Sequence, residues 1–125
     1  MEYRIEIEEH AGQKMVHTYI KGALSSEDRD RIGAIAIQTL KENGLTKSIW
    51  DLREATILYS LATVHLAVAR VEETGLQNAM RVAVIYRQNK KEFEHAKIVA
   101  ANRGIYNLNY FDDLEEGITW LASAA

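Results

Sequence analysis

Lys47-Ser48-Ile49-Trp50-Asp51-Leu52, then Arg53 to Tyr59, then Ser60-Leu61-Ala62-Thr63-Val64-His65-Leu66-Ala67-Val68-Ala69-Arg70-Val71, is the stretch that decides the architecture of this chain. The β-branched and aromatic run predicts a short strand over 48–52. A polar-to-apolar turn follows over 53–59, and a helix is expected from Ser60 to about 74. That helix is apolar on nearly every side until its last turn, where Arg70, Glu72 and Glu73 read as solvated and Gly75 is expected to close it. A helix that is greasy all round is usually buried against more than one neighbour. It is therefore expected at the centre of the domain, or between the domain and a ligand or second copy.

The flanking segments extend the pattern. Tyr3-Arg4-Ile5-Glu6-Ile7-Glu8 alternates strictly, as a half-buried strand with one wet face does. A polar turn containing Gly12 leads to a second strand, Met15-Val16-His17-Thr18-Tyr19-Ile20, and the short connection favours an antiparallel hairpin. Ser25-Ser26-Glu27-Asp28 opens a helix with a hydroxyl cap and an acidic first turn. Ile32, Ile35, Ala36, Thr39 and Leu40 follow at helical spacing, and Asn43-Gly44 ends it. Past the central unit come a strand over 81–86, a helix over 90–103 with Phe93, Ala96, Val99 and Ala100 on one face, an edge strand over 106–111, and a last helix carrying Leu114, Ile118, Trp120 and Leu121.

The order is β-β-α-β-α-β-α-β-α in a single α/β domain over 1–125, with a mostly parallel sheet and an N-terminal hairpin. The charges of the first strand and the asparagines of the last predict a sheet not covered on both faces throughout. Composition agrees: 47% hydrophobic and 26% charged residues is the balance of an ordinary globular domain. The net charge of −3, with both signs interspersed, leaves no basic stripe to follow a phosphate backbone, so nucleic-acid binding is disfavoured. The absence of cysteine excludes disulfides, thiol catalysis and thiolate metal sites, and a cytoplasmic location is the simplest expectation. The N-terminus does not read as a signal peptide. No transmembrane segment is expected, because no apolar run approaches the ~18 residues a span requires. Peripheral membrane contact stays open, although no helix joins a basic face to an aromatic one.

Four segments together resemble the SpoIIAA-like superfamily, which includes the anti-sigma-factor antagonist (STAS) domains, and within it a group of small stand-alone bacterial proteins. They are Lys21-Gly22-Ala23-Leu24-Ser25-Ser26-Glu27-Asp28, Trp50-Asp51-Leu52-Arg53-Glu54-Ala55, Arg81-Val82-Ala83-Val84-Ile85, and Phe111-Asp112-Asp113-Leu114-Glu115-Glu116-Gly117-Ile118-Thr119-Trp120-Leu121. The resemblance implies a SpoIIAA-like, STAS-like fold over essentially the whole chain. In regulatory members an Asp-Ser-Ser-Gly-type turn presents a phosphorylatable serine. This chain has Tyr59-Ser60-Leu61-Ala62 there, with Leu61 at the phosphoserine position, so a sigma-factor partner switch is not implied.

Candidate site residues cluster where open α/β sheets place ligands, outside the carboxyl ends of the strands. Asp51 and Arg53 end one expected strand, and Tyr86 and Arg87 end its neighbour. The two arginines could converge on an anion, helped by free N–H groups at the start of the central helix; the alternative is a surface Asp51–Arg53 ion pair. Ser60 reads as a helix cap or as a modified or nucleophilic serine. His65, in the apolar middle of the central helix, reads as a neutral hydrogen-bonded histidine or as a catalytic one. The four histidines show no close metal-ligand spacing, so neither a metal nor another cofactor is expected. No phosphate loop or nucleophile elbow is visible.

Two classes of function follow. One is a non-enzymatic binding or regulatory module, homodimeric, holding a small apolar, amphipathic or anionic ligand near Asp51, Arg53, Tyr59, Ser60, His65, Tyr86 and Arg87. The other is an enzyme using Ser60, His65, Tyr59 or Arg53 at the same sheet edge.

Overall fold

In the structure, a computed structural model, residues 1–61 and 79–123 are described. Beyond Ser60 and Leu61, the apolar helix expected between the third and fourth strands, including His65, lies outside them. The described elements are β1 (Glu2–His10), β2 (Gln13–Leu24), α1 (Ser26–Glu42), β3 (Lys47–Ile57), β4 (Arg81–Tyr86), α2 (Lys90–Asn102), β5 (Leu108–Phe111) and α3 (Leu114–Ser123). One sheet holds the strands in the order β1-β2-β3-β4-β5. The β1–β2 hairpin is antiparallel and the remaining pairings are parallel. This is the expected α/β architecture, with β5 at an edge.

Each face of the sheet has its own core. On one face Ile20, Leu24, Leu52, Val84, Tyr86 and Tyr110 meet Ile32 of α1 and Phe93 and Ala96 of α2. The rings of Tyr86 and Phe93 stack 4.8 Å apart, and Tyr110 tilts against Phe93 at 5.7 Å. On the other face Met15, Ile49, Ala83, Ile85 and Phe111 meet Ile118 and Leu121 of α3. Gly117 lets α3 come this close: a Cβ there would stand 2.5 Å from Ile85 Cδ1. α3 packs mainly on β3, β4 and β5, and it reaches β2 only at its near end, through Met15 and the Gln13 amide, which donates to the Ala122 carbonyl at 3.1 Å. The β1–β2–β3 corner of this face is therefore left to polar side chains.

Two elements differ from expectation in ways that matter. β3 runs on to Ile57, so the segment expected as a turn after Leu52 is mostly strand. The cause is a register shift: Tyr19 pairs with Asp51 but Lys21 with Glu54, so residues 52 and 53 face the single residue Ile20. A bulge of this kind keeps an irregular run in the sheet while re-aiming its side chains. Leu52 and, three residues on, Ala55 both join the α1–α2 core, which leaves Arg53 and Glu54 together on the α3 side. Second, the apolar residues of β1 are poorly covered, Tyr3 and Ile7 being 39% and 45% exposed. Glu8, expected on the wet face, and His10, expected in the turn but carried at the end of β1, are half-buried instead. The edge strand lies beyond the apolar cores, while polar partners from β2 draw its other face inward.

The hairpin loop is Ala11-Gly12, with positive φ at both residues (52° and 75°). Two-residue hairpin loops of the type I′ class need that backbone, and Asn-Gly suits it best. An alanine held there carries a steric cost of about 1 kcal/mol. Ala11→Asn is expected to raise stability by about 0.5–1 kcal/mol, as the relief of that cost. Urea denaturation would register this as a higher midpoint at unchanged slope; an unchanged or lower midpoint would contradict it.

Candidate functional site

The polar corner is built from alternate residues of three strands. Arg4, Glu6, Glu8 and His10 of β1 share a face with His17 and Tyr19 of β2, through the pairings Arg4↔Tyr19 and Glu6↔His17. Tyr19 in turn pairs with Asp51 of β3. Because β2 is an interior strand, His17 is carried inside and is only 1% exposed. Its Nδ1 lies 2.8 Å from Glu8 Oε1 and its Nε2 lies 2.9 Å from Asp51 Oδ2. His10 Nε2 reaches the same Glu8 Oε1 at 2.9 Å, and the Tyr19 hydroxyl donates to Glu8 Oε2. Arg53 closes the chain with a forked pair to Asp51, Nε to Oδ1 at 2.9 Å and Nη2 to Oδ2 at 2.7 Å. Its backbone N–H also donates to Asp51 Oδ1 at 3.2 Å. Above the network the Tyr19 ring stacks on His17 at 3.7 Å, and the Arg4 guanidinium lies 3.8 Å over the Tyr19 ring.

The electrostatics follow from these contacts. Burial alone would raise the Glu8 carboxyl, but hydrogen bonds from Tyr19, His10 and His17 outweigh it and hold the group down at about 2. Burial opposes ionisation of Asp51 too, yet hydrogen bonds from His17 and Arg53 keep it well below the usual carboxylate range. Tyr19 is pushed up to about 12, by burial and then by its bond to the Glu8 carboxylate. With both carboxylates ionised, hydrogen bonds on the two sides of His17 require a hydrogen on each ring nitrogen.

Beside this network lies a cleft of about 500 Å³. Tyr19, Asp51 and Arg53 line it, with Arg4 and Lys21 on one side and Arg87 from beyond β4 on the other. Asp51, Arg53 and Arg87, singled out by position in the chain, thus border one space. Tyr59 and Tyr86 do not: both pack with the core on the opposite face. Tyr59 is pushed up to about 12 chiefly by burial, with the Arg29 guanidinium 4.6 Å over its ring. Ser60 is exposed beyond the end of β3. Glu8, His17, Tyr19, Arg4 and Lys21 were not singled out from sequence. A signal was present nonetheless, since a histidine inside an apolar strand must find partners where the hairpin register places them.

No protein-family model matches the chain, and no curated protein matches it. Among solved structures, it is similar to an uncharacterized DUF3478-family protein with a SpoIIAA-like fold from Shewanella loihica PV-4. That likeness has 21% identity and a TM-score of 0.60, covering 95% of this chain and 93% of that one. The phosphorylated form of the Bacillus cell fate determinant SpoIIAA is similar at 20% identity and a TM-score of 0.51, covering 93% and 97%. The fold is SpoIIAA-like.

Removing one member of a buried charged network leaves its partners unpaired. Asp51→Ala is therefore expected to cost about 3–5 kcal/mol, measured by denaturant unfolding. The pH dependence follows from the depressed carboxyls. Their contribution is complete above the ordinary carboxylate values, 4.5 for Glu8 and 3.8 for Asp51, and is lost as pH falls toward about 2. Unfolding free energy should decline steeply across that window, and Glu8→Gln should flatten the decline. An acid limb unchanged in Glu8→Gln would contradict the assignment.

Proposed function

We propose that this chain is a non-enzymatic, STAS-like binding module that takes a small anionic ligand in the cleft beside the β2–β3 bulge, and that it works as a homodimer. The observation that carries the ligand reading is the meeting of Arg53 and Arg87 with Lys21 and Arg4 around one cleft at the carboxyl side of the parallel strands. Glu2, Asp51 and Glu54 also line it, but Asp51 is already neutralised by Arg53 and His17. Lys21 and Arg87 form no ion pair among the described residues, which leaves two cations to receive a carboxylate or phosphate. Arg53, held by a fork to Asp51, presents its remaining guanidinium edge without having to be ordered on binding. Tyr3 and Ile7, exposed on the apolar side of β1, support self-association through that edge.

Solution NMR with inorganic phosphate and with a small dicarboxylate tests the reading. Saturable shifts are expected at Arg53, Arg87 and Lys21, and Arg87→Gln should weaken binding about tenfold, the worth of one charge-assisted hydrogen bond. Light scattering on the same samples should give the mass of two 14.2 kDa chains. Shifts spread evenly over surface lysines, or none at either arginine, would overturn the ligand reading; the mass of one chain at every concentration would overturn the dimer.

A further inference from the structure

The cleft leaves the inner end of the polar network unexplained. Glu8, His10 and His17 each place a ligand atom within 4.8 Å of the other two on one face of the β1–β2 hairpin, and Glu8 Oε1 itself lies 2.9 Å from His10 Nε2 and 2.8 Å from His17 Nδ1. We infer that these three side chains form a binding site for a divalent transition-metal ion, zinc in the first instance. None of the three lines the cleft, so this inference stands independently of the anion reading.

The donor set suits such an ion. Two imidazole nitrogens and one carboxylate oxygen are ligands zinc takes readily, at about 2.0–2.2 Å. Tetrahedral coordination at those lengths sets neighbouring donors about 3.3 Å apart. The present 2.8 and 2.9 Å separations from Glu8 Oε1 need to open by only a few tenths of an ångström. The wider His10–His17 gap closes by rotation of His10, which stands half-buried at the end of β1. The absence of cysteine favours borderline divalent ions over soft monovalent ones.

The second observation is how His17 is held from behind. Metal-binding histidines generally donate their other ring N–H to a carboxylate, which fixes the tautomer and aims the ligating nitrogen. Asp51 does this here: its Oδ2 lies 2.9 Å from His17 Nε2, and it is in turn held by Arg53. With Nε2 donating to Asp51, Nδ1 is left facing Glu8 Oε1, and that pair of electron-rich atoms needs a positive centre between them. A proton serves in the metal-free chain. A divalent ion binding Nδ1, Glu8 Oε1 and His10 Nε2 takes its place, and the displaced proton leaves to solvent. The Tyr19 hydroxyl, donating to Glu8 Oε2, holds the carboxylate so that Oε1 remains the ligating atom. Three protein ligands leave a fourth position for water or an added group.

The test uses the untagged full chain, stripped of metal, titrated with zinc alone. Calorimetry is expected to show one ion per chain with a Kd of about 10 µM or tighter. In the same titration, the nitrogen resonances of His10 Nε2 and His17 Nδ1 should shift while those of His95, exposed on α2, stay put. His10→Ala, at the hairpin end and outside both cores, should keep the fold and weaken zinc binding at least tenfold. Asp51→Asn should weaken it about 10–100-fold through loss of the carboxylate behind His17. Three results would overturn the site: no binding at millimolar zinc, binding unaffected by His10→Ala, or binding without movement of the His17 nitrogen. The imidazole shifts are read on the unsubstituted protein, so the test holds even if Asp51→Asn fails to fold.

Discussion

Almost no solvent reaches the imidazole of His17, and each of its nitrogens meets a carboxylate from a different strand, Glu8 of β1 and Asp51 of β3. Burying such groups costs several kcal/mol per ion, and the cost is offset only when every hydrogen-bonding position is filled. Here Tyr19 and His10 fill Glu8, and Arg53 fills Asp51 from both its side chain and its backbone. The result is specificity of register. A one-residue slip of β1 on β2 would carry Glu8 to the opposite face and leave His17 without its partner. The edge strand, which contributes little apolar burial, is therefore held in register chiefly by charge.

The β3 bulge links this network to the cleft. Without the extra residue, alternation would turn Arg53 and Glu54 to opposite faces. With it, Arg53 folds back onto Asp51 while still bordering the open space that Arg87 lines from just beyond β4. The interior of the network and the lining of the cleft thus share Tyr19, Asp51 and Arg53. On the proposed reading, an anion in the cleft and a cation in the network would each change the charge felt at the other.

Much of the architecture was legible in the residues. Strict alternation in β1, the Ser25 cap, which accepts from the Asp28 N–H at 3.2 Å, and the β-branched run of β4 each report local physics that the tertiary structure leaves in place. The site was legible only in part. Asp51, Arg53 and Arg87 could be placed at one sheet edge because strand ends are visible in sequence. Tyr86 was drawn to the other face because its position in β4 sends it to the Phe93 core. His17 and Glu8 escaped because their meeting depends on hairpin register, and ligand spacing along the chain is blind to pairs brought together across strands. The bulge escaped for a related reason: residues 52–57 carry no glycine or proline to mark the irregularity.

The account turns on His17 being clasped on both sides, and its ring hydrogens report this directly. In the metal-free chain at pH 6, nitrogen-resolved NMR should show both ring N–H groups of His17 as hydrogen-bonded and protected from exchange with water, while those of exposed His95 exchange freely. A His17 ring whose hydrogens exchange as fast as those of His95 would mean that the Glu8–His17–Asp51 clasp does not exist and that β1 is held in register by something else.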